Sequence, residues 1–322
     1  PSVEPAAVIA DRIVGKPWDN ESLCDLVREA LDFHDSVRRR RETFDSVDRE
    51  RRHLRAAVEI ASDIQRCVMP AGEVFVRGAE ASCFFTAYQH ATGDYVDVLS
   101  VPDGRTAVVM GDVCGHGLGA ALYVFSARAL LRSGLSQGNT LSTVLEQANG
   151  FLCSDMEAGR FMTLFAGLYD GSSRELSYIN AGHAPPLVVG ANCVRDVRRT
   201  AMPLGILEES TYRAARSIVL DPEETLLLYT DGAVEARQGD GELFGRQRLE
   251  RFLMKRRSSA PRGLLRHLWN ELLDFAGAEG TCDDLALLAL RPQEVPDALR
   301  TAVPTGAGAA RRGARGRRAR EA

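Results

Sequence analysis

At 322 residues the chain is long enough for about two domains, and its 45% hydrophobic content supports a sizeable core. A net charge of −4 gives the whole molecule no electrostatic bias toward nucleic acid. No apolar stretch approaches the roughly 20 residues needed to span a bilayer, and the N-terminus lacks a charged start followed by an apolar block. Neither a membrane span nor a signal peptide is therefore expected.

Residues 1–19 form a short N-terminal segment ahead of the first pattern. From Leu23 to Val68 apolar side chains recur at 3-4 spacing, through Ala30, Phe33, Val37, Phe44, Val47, Leu54, Val58 and Ala61. The gaps are filled with Arg, Glu and Asp, and no proline or glycine intervenes. Asp19 or Asn20 can cap the start, and Pro70 closes the end. The pattern predicts one long helix over residues 20–69. Such a helix cannot bury its stripe alone, so a coiled-coil homodimer is expected; the alternative is a helix folded back or broken near Arg38–Arg41. Arg40 and Arg51 interrupt the seam.

After Pro70 the texture changes. Strand-like runs fall at Ser82–Tyr88, Tyr95–Val101, Thr106–Met110, Thr163–Tyr169, Leu176–Ile179, Leu187–Val189, Ser217–Leu220, Thr225–Tyr229 and Leu285–Leu290. Turn signals such as Pro102–Asp103–Gly104 and Asp170–Gly171 separate several of them. Helical patterns cover Leu118–Ser133, Leu141–Met156, Gly245–Lys255 and Pro261–Ala276. Strands come in sequential runs and helices in blocks, which predicts an α+β domain of mainly antiparallel sheet with helices outside, over residues 70–292. Residues 293–322 turn to Pro, Ala, Gly and Arg and read as a disordered basic tail. The seven cysteines are scattered and never two residues apart, which argues against disulfides or a zinc ribbon and for a reducing cytoplasm.

Four acidic spots sit beside these strands. Gly93–Asp94–Tyr95–Val96–Asp97 precedes one, and Gly111–Asp112–Val113–Cys114–Gly115–His116–Gly117 follows another. Thr230–Asp231–Gly232 follows a third, and Asp283–Asp284 opens the last. Single acidic residues at such places are turn or cap residues. Four that converge would repel one another until cations offset the charge. All-oxygen ligands suit Mg²⁺ or Mn²⁺ rather than zinc. Two such ions can lower the pKa of a shared water and aim it at phosphorus. On this basis alone a phosphomonoesterase, a phosphodiesterase and a nuclease all stay open.

The flanking motifs are more specific. Glu59–Ile60–Ala61–Ser62–Asp63–Ile64–Gln65 leads to Met69–Pro70, and Phe161–Met162–Thr163–Leu164–Phe165 follows the second acidic spot. Asn180–Ala181–Gly182–His183, Pro203–Leu204–Gly205 and Leu228–Tyr229–Thr230–Asp231–Gly232 complete the series, the last running on through Glu235–Ala236 to Gly241–Gly245. With the aspartates, these resemble the metal-dependent PPM-type serine/threonine protein phosphatases, in the bacterial branch of sporulation stage II protein E and the stress-response sigma-regulator phosphatases. The resemblance spans about Ala57 to Leu290. It implies an α-β-β-α sandwich and two Mn²⁺ or Mg²⁺ ions, with catalysis centred on Asp112 and His116. Asp112 would bridge the ions and the Val113 carbonyl would assist at one. Asp231 and Asp283 would complete one ion and Asp94 the other, with Asp97 and Asp284 further out. His183 would be structural. Thr92 departs from a usual glycine, and Cys114 from a usual Ser or Ala. The resemblance further implies a cytoplasmic enzyme acting on a phosphorylated anti-sigma-factor antagonist, regulated through the helical linker and a partner protein. No membrane or nucleic-acid partner is expected. The alternatives are an inactive phosphatase-like scaffold and a metal-dependent phosphodiesterase.

Overall fold

The computed structural model describes residues 19–87, 91–115, 117–157, 159–213, 216–239, 241–278 and 284–293. His116, Asp283, the N-terminal segment and the Arg-rich tail lie outside the described residues. The chain opens on α1 (Asn20–Val68), a 49-residue helix whose end falls just before Pro70. Pairs such as Arg28–Asp25 and Arg52–Asp48 lace its surface at helical spacing. Phe33, Phe44, Val47 and Leu54 on its apolar stripe are exposed. The described residues divide into two compact units, one ending at Ala61 and the next beginning at Ser62. The last turns of α1 therefore belong with the globular unit.

That unit runs through β1 (Gly72–Val76), β2 (Ala79–Thr86), β3 (Asp94–Ser100), β4 (Thr106–Val113), α2 (Leu118–Ser136), α3 (Leu141–Asp155), β5 (Met162–Asp170) and β6 (Glu175–Ala181). It continues through β7 (Leu187–Val189), β8 (Val194–Asp196), β9 (Arg216–Val219), β10 (Thr225–Tyr229), α4 (Gly232–Glu235), α5 (Gly245–Arg256), α6 (Pro261–Ala276) and β11 (Leu285–Pro292). The strands form two sheets in which every named pairing is antiparallel, ordered β1-β2-β11-β10-β7-β8 and β3-β4-β5-β6-β9. Helices α2 and α3 cover the second sheet, while α5 and α6 cover the first.

Side-chain alternation explains the layering. In β11, Ala286, Leu288 and Leu290 join the apolar cluster that runs between the sheets. Leu285, Leu287 and Ala289 join a second cluster beneath α5 and α6. Successive side chains point to opposite faces, and both faces of this strand are covered, so it reads as an unbroken apolar run. Strand β10 divides the same way, with Leu226 and Leu228 inside and Leu227 and Tyr229 outside. The four layers are those of an α-β-β-α sandwich.

Two strands were not legible beforehand. β1 has alternate residues half-exposed, and β8 is a three-residue edge strand containing Arg195 and Asp196. Strand β4 also runs further than its apolar stretch, to Val113, so Asp112 lies within the strand and not beyond it.

Candidate metal centre

The antiparallel register of β3 and β4 sets Asp94 directly opposite Asp112. Asp231 arrives from the other sheet, at the residue between β10 and α4. One carboxylate oxygen from each of the three lies within 4.8 Å of the others. Asp94 is 2% exposed, Asp112 half-buried and Asp231 exposed, so the cluster opens outward from a buried base.

Several groups hold that base. The Thr230 hydroxyl donates to Asp94 Oδ2 at 2.8 Å and accepts from the Ala286 N–H at 2.9 Å. It thereby ties the end of one sheet to the first strand of the other. The Asp94 N–H donates to Thr92 Oγ1 at 3.0 Å. Thr92 is gripped from the end of α1: its N–H donates to Gln65 Oε1 at 3.0 Å, and Gln65 Nε2 donates to its carbonyl at 2.9 Å. Thr92, which departs from the expected glycine, thus contributes a hydroxyl that glycine lacks.

Gly93 is shaped by the same cluster. A side chain there would start 2.6 Å from the Val113 carbonyl oxygen and 3.2 Å from Asp112 Oδ1 and from the Gly115 carbonyl oxygen. Three oxygens converge on a bare Cα, and any Cβ would enter the space they face. The three carboxylates make a hard, all-oxygen donor set, and the Val113 carbonyl faces Gly93 together with Asp112 Oδ1. This set fits a divalent cation of the Mg²⁺ or Mn²⁺ type. Electrostatics points the same way. Burial pushes the Asp94 carboxyl well above its ordinary range, and the charges of Asp112, Asp231 and Asp284 push it further, against the Thr230 hydrogen bond. A cation bound here would remove that repulsion.

Asp97 is not brought to the cluster. Three residues along a strand place it on the opposite face from Asp94. There Tyr95 Oη donates to it at 3.0 Å and Arg132 Nη1 to both of its oxygens at 3.2 Å, with Arg128 Nε at 3.7 Å. Burial still raises its pKa, and the two arginines only partly counter this. Arg128 also donates to the Val68 carbonyl at the end of α1, at 3.2 Å. His183 is buried, with Nδ1 3.0 Å from the hydroxyl of Thr163, the register partner of Asp112. Burial lowers its pKa to about 4 against the pull of the Tyr229 carbonyl, so the ring is neutral. Among the described residues the cysteines Cys24, Cys67, Cys83, Cys114, Cys153 and Cys193 are free. Among the described residues no helix is long and apolar enough to cross a membrane.

Gln65 and Thr230 lie within the sequence motifs, but their spacing there points to no partner. Their roles depend on partners 27 and 136 residues away, which no local spacing reveals.

Comparison with known proteins agrees with this architecture. The family model described as stage II sporulation protein E (SpoIIE) matches residues 102–293. Protein IcfG of Synechocystis sp. is 30% identical over 264 residues, covering 73% of this chain and 41% of that protein. Phosphoserine phosphatase RsbU of Bacillus subtilis is 22% identical over 240 residues, covering 74% of this chain and 70% of that protein. The chain thus spans about two fifths of IcfG and most of RsbU. Among solved structures, the RsbU and RsbW domains of Rv1364c from Mycobacterium tuberculosis superpose with a TM-score of 0.60 at 31% identity, covering 70% of this chain and 62% of that one. The SiaA-PP2C domain of Pseudomonas aeruginosa shares the fold, with a TM-score of 0.63 at 18% identity over 75% of this chain and 97% of that one. The two-sheet sandwich, the carboxylates gathered at its edge and the match over most of the globular unit have one explanation: the chain belongs to the SpoIIE family of PP2C-type phosphatase domains.

Proposed function

We propose that this protein is a Mn²⁺- or Mg²⁺-dependent serine/threonine protein phosphatase. The observation that carries the reading is the convergence of Asp94, Asp112 and Asp231 from two sheets onto one oxygen-rich point. The RsbU relative is named a phosphoserine phosphatase, which supports the same reaction class. In this reading Asp112 would bridge two ions and the Val113 carbonyl would assist at one. Asp231 and Asp283 would complete one ion's ligands, and Asp94 would serve the other. Divalent ions bound there supply Lewis acidity and acidify water for attack on phosphorus. The protein's own part is to hold the carboxylates: Thr230 orients Asp94, and the β3–β4 register fixes Asp112 beside it. His116 serves as proton donor to the departing serine or threonine oxygen.

The substrate proposed is a phosphorylated anti-sigma-factor antagonist, met in the cytoplasm. A protein substrate is supported by the loop after β8. Met202, Ile206 and Leu207 are about half exposed there, and Leu207 reaches 54%. The loop is nonetheless rigidly held. Its Leu204 exchanges backbone hydrogen bonds with Met162, and buried Asn149 binds the Gly205 N–H, the Leu207 carbonyl and the Tyr212 hydroxyl. Fixed, exposed apolar side chains on a loop tied to the start of β5 suit a folded protein better than a small phosphate ester. Regulation through the helical linker is supported by Gln65, which grips the residue that hydrogen-bonds Asp94.

The test is a Mn²⁺-supplemented assay on a phosphoserine peptide, with wild type beside Asp112→Asn. The substitution should lower turnover by roughly 100-fold or more, since even the outer partners of metal ligands are worth 10- to 100-fold. Equal activity in both proteins, or hydrolysis of a phosphodiester but not of the phosphopeptide, would overturn the proposal.

A further inference from the structure

The β4–β5 ladder has a consequence just beyond its last regular pair. Asp112 lies opposite Thr163 and Val113 opposite Met162. The pairing continues one step further, because the Cys114 N–H donates to the Phe161 carbonyl at 2.8 Å. The next residue on that register is Arg160, which falls opposite Gly115. The side chain follows the backbone: a Cβ on Gly115 would stand 3.0 Å from Arg160 Nη1. Gly115 has φ +104°, so its backbone and the space above it both exclude a side chain, and the guanidinium lies across the bare turn.

Arg160 is held in place from both sides. Its N–H donates to the Glu157 carbonyl at 3.1 Å, and Met162, two residues on, is locked to Leu204. Its Nε is paired with exposed Glu157 at 3.0 Å, and the side chain is 32% exposed. Among the described residues this is its one ion pair, so the terminal nitrogens stay available as donors. The Gly115 carbonyl shares the Gly93 cradle with Asp112 Oδ1, so the turn that the guanidinium covers is the one that faces the carboxylate cluster.

We propose that Arg160 receives the phosphate of the substrate, its terminal N–H groups donating to the non-bridging oxygens of a phosphoserine or phosphothreonine dianion. A planar guanidinium matches that tetrahedral group with paired donors, which a lysine ammonium does not. The inference rests on the phosphatase reading and adds the group that recognises the phosphate.

The experiment compares wild type, Arg160→Ala, Arg160→Lys and Arg160→Gln as full chains with saturating Mn²⁺. KM for a phosphoserine peptide, inhibition by inorganic phosphate and the Mn²⁺ concentration for half-activation are measured. Arg160→Ala should raise both KM and the phosphate inhibition constant by about ten- to a hundredfold, the range for hydrogen bonds to charged groups. Arg160→Lys should fall between it and wild type, and half-activation by Mn²⁺ should not move. Should the alanine variant unfold, Arg160→Gln supplies the same comparison with the side-chain length kept. Unchanged KM and phosphate inhibition would overturn the inference while leaving the phosphatase reading intact. So would a loss fully explained by weaker Mn²⁺ activation, which would make Arg160 a stabiliser of the loop. An inactive wild type would instead overturn the underlying reading.

Discussion

At the scale of single residues, the site is built from groups whose partners come from distant parts of the chain. Thr230 is the clearest case: one hydroxyl donates to Asp94 and accepts from Ala286, and so joins two sheets. His183 makes a comparable brace through Thr163, behind Asp112. Its titration has a sign that can be worked out. Burial lowers its pKa from 6.5 to about 4. Its contribution is therefore present above 6.5 and is lost as pH falls toward 4, because the unfolded chain takes up a proton that the folded chain refuses. The full effect is on the order of 3 kcal/mol, at about 1.4 kcal/mol per pH unit. His183→Gln keeps a polar side chain without the titration. Denaturant unfolding of both proteins should show the stability gap between wild type and variant shrinking as pH falls from 7 to 5. A gap that stays constant over that range would mean that His183 is protonated in the folded state.

At the scale of elements, the decisive junction is the end of α1 against the loop before β3. Gln65 makes two hydrogen bonds to the backbone of Thr92, and the Thr92 hydroxyl receives the Asp94 N–H. Nearby, Arg128 of α2 donates to the Val68 carbonyl and lies 3.7 Å from Asp97 of β3. The helix end is thus linked to β3 on both faces of the strand. A displaced helix end would free Thr92 and loosen Asp94, so that helix position and metal affinity would vary together. Gln65→Leu removes the amide and keeps the bulk. Its prediction is a raised Mn²⁺ requirement, by about tenfold, with turnover at saturating Mn²⁺ close to wild type. The loss of a buried, doubly bonded amide sets that scale at 1–3 kcal/mol. A Mn²⁺ activation curve superimposable on that of wild type would remove the coupling from the proposed regulation.

At the scale of the whole molecule, what was readable in the chain follows from how local each signal is. The long helix was legible because its 3-4 spacing runs on with no proline or glycine, and β10 and β11 because both of their faces are buried. Edge strands β1 and β8 were not, since half-exposed and charged residues leave no apolar run. The carboxylates could be named one by one. Their convergence could not be derived, because Asp231 meets Asp94 only after the two sheets stack. Asp97 could have been set aside from the sequence, since strand residues an odd number of positions apart face opposite ways.

The same stacking forces three carboxylates together, and this makes stability depend on metal and pH jointly. Asp94 has a raised pKa in the folded protein, from an ordinary value of 3.8. Without metal its contribution is fully present below that value and is lost as pH rises through the raised pKa, where folding must accept a buried charge beside the half-buried Asp112. A bound divalent ion reverses the cost by favouring the ionised carboxylates. The increase in melting temperature from EDTA to Mn²⁺ should therefore widen as pH rises from 5 to 8. Mn²⁺ at a hundred times its dissociation constant adds about 2.7 kcal/mol. Asp112→Asn separates the two effects. In EDTA at pH 8 it should melt above wild type, because a repulsive charge is gone, and Mn²⁺ should then add little. A variant that melts below wild type in EDTA yet gains as much from Mn²⁺ would show that Asp112 is neither a source of the repulsion nor a ligand.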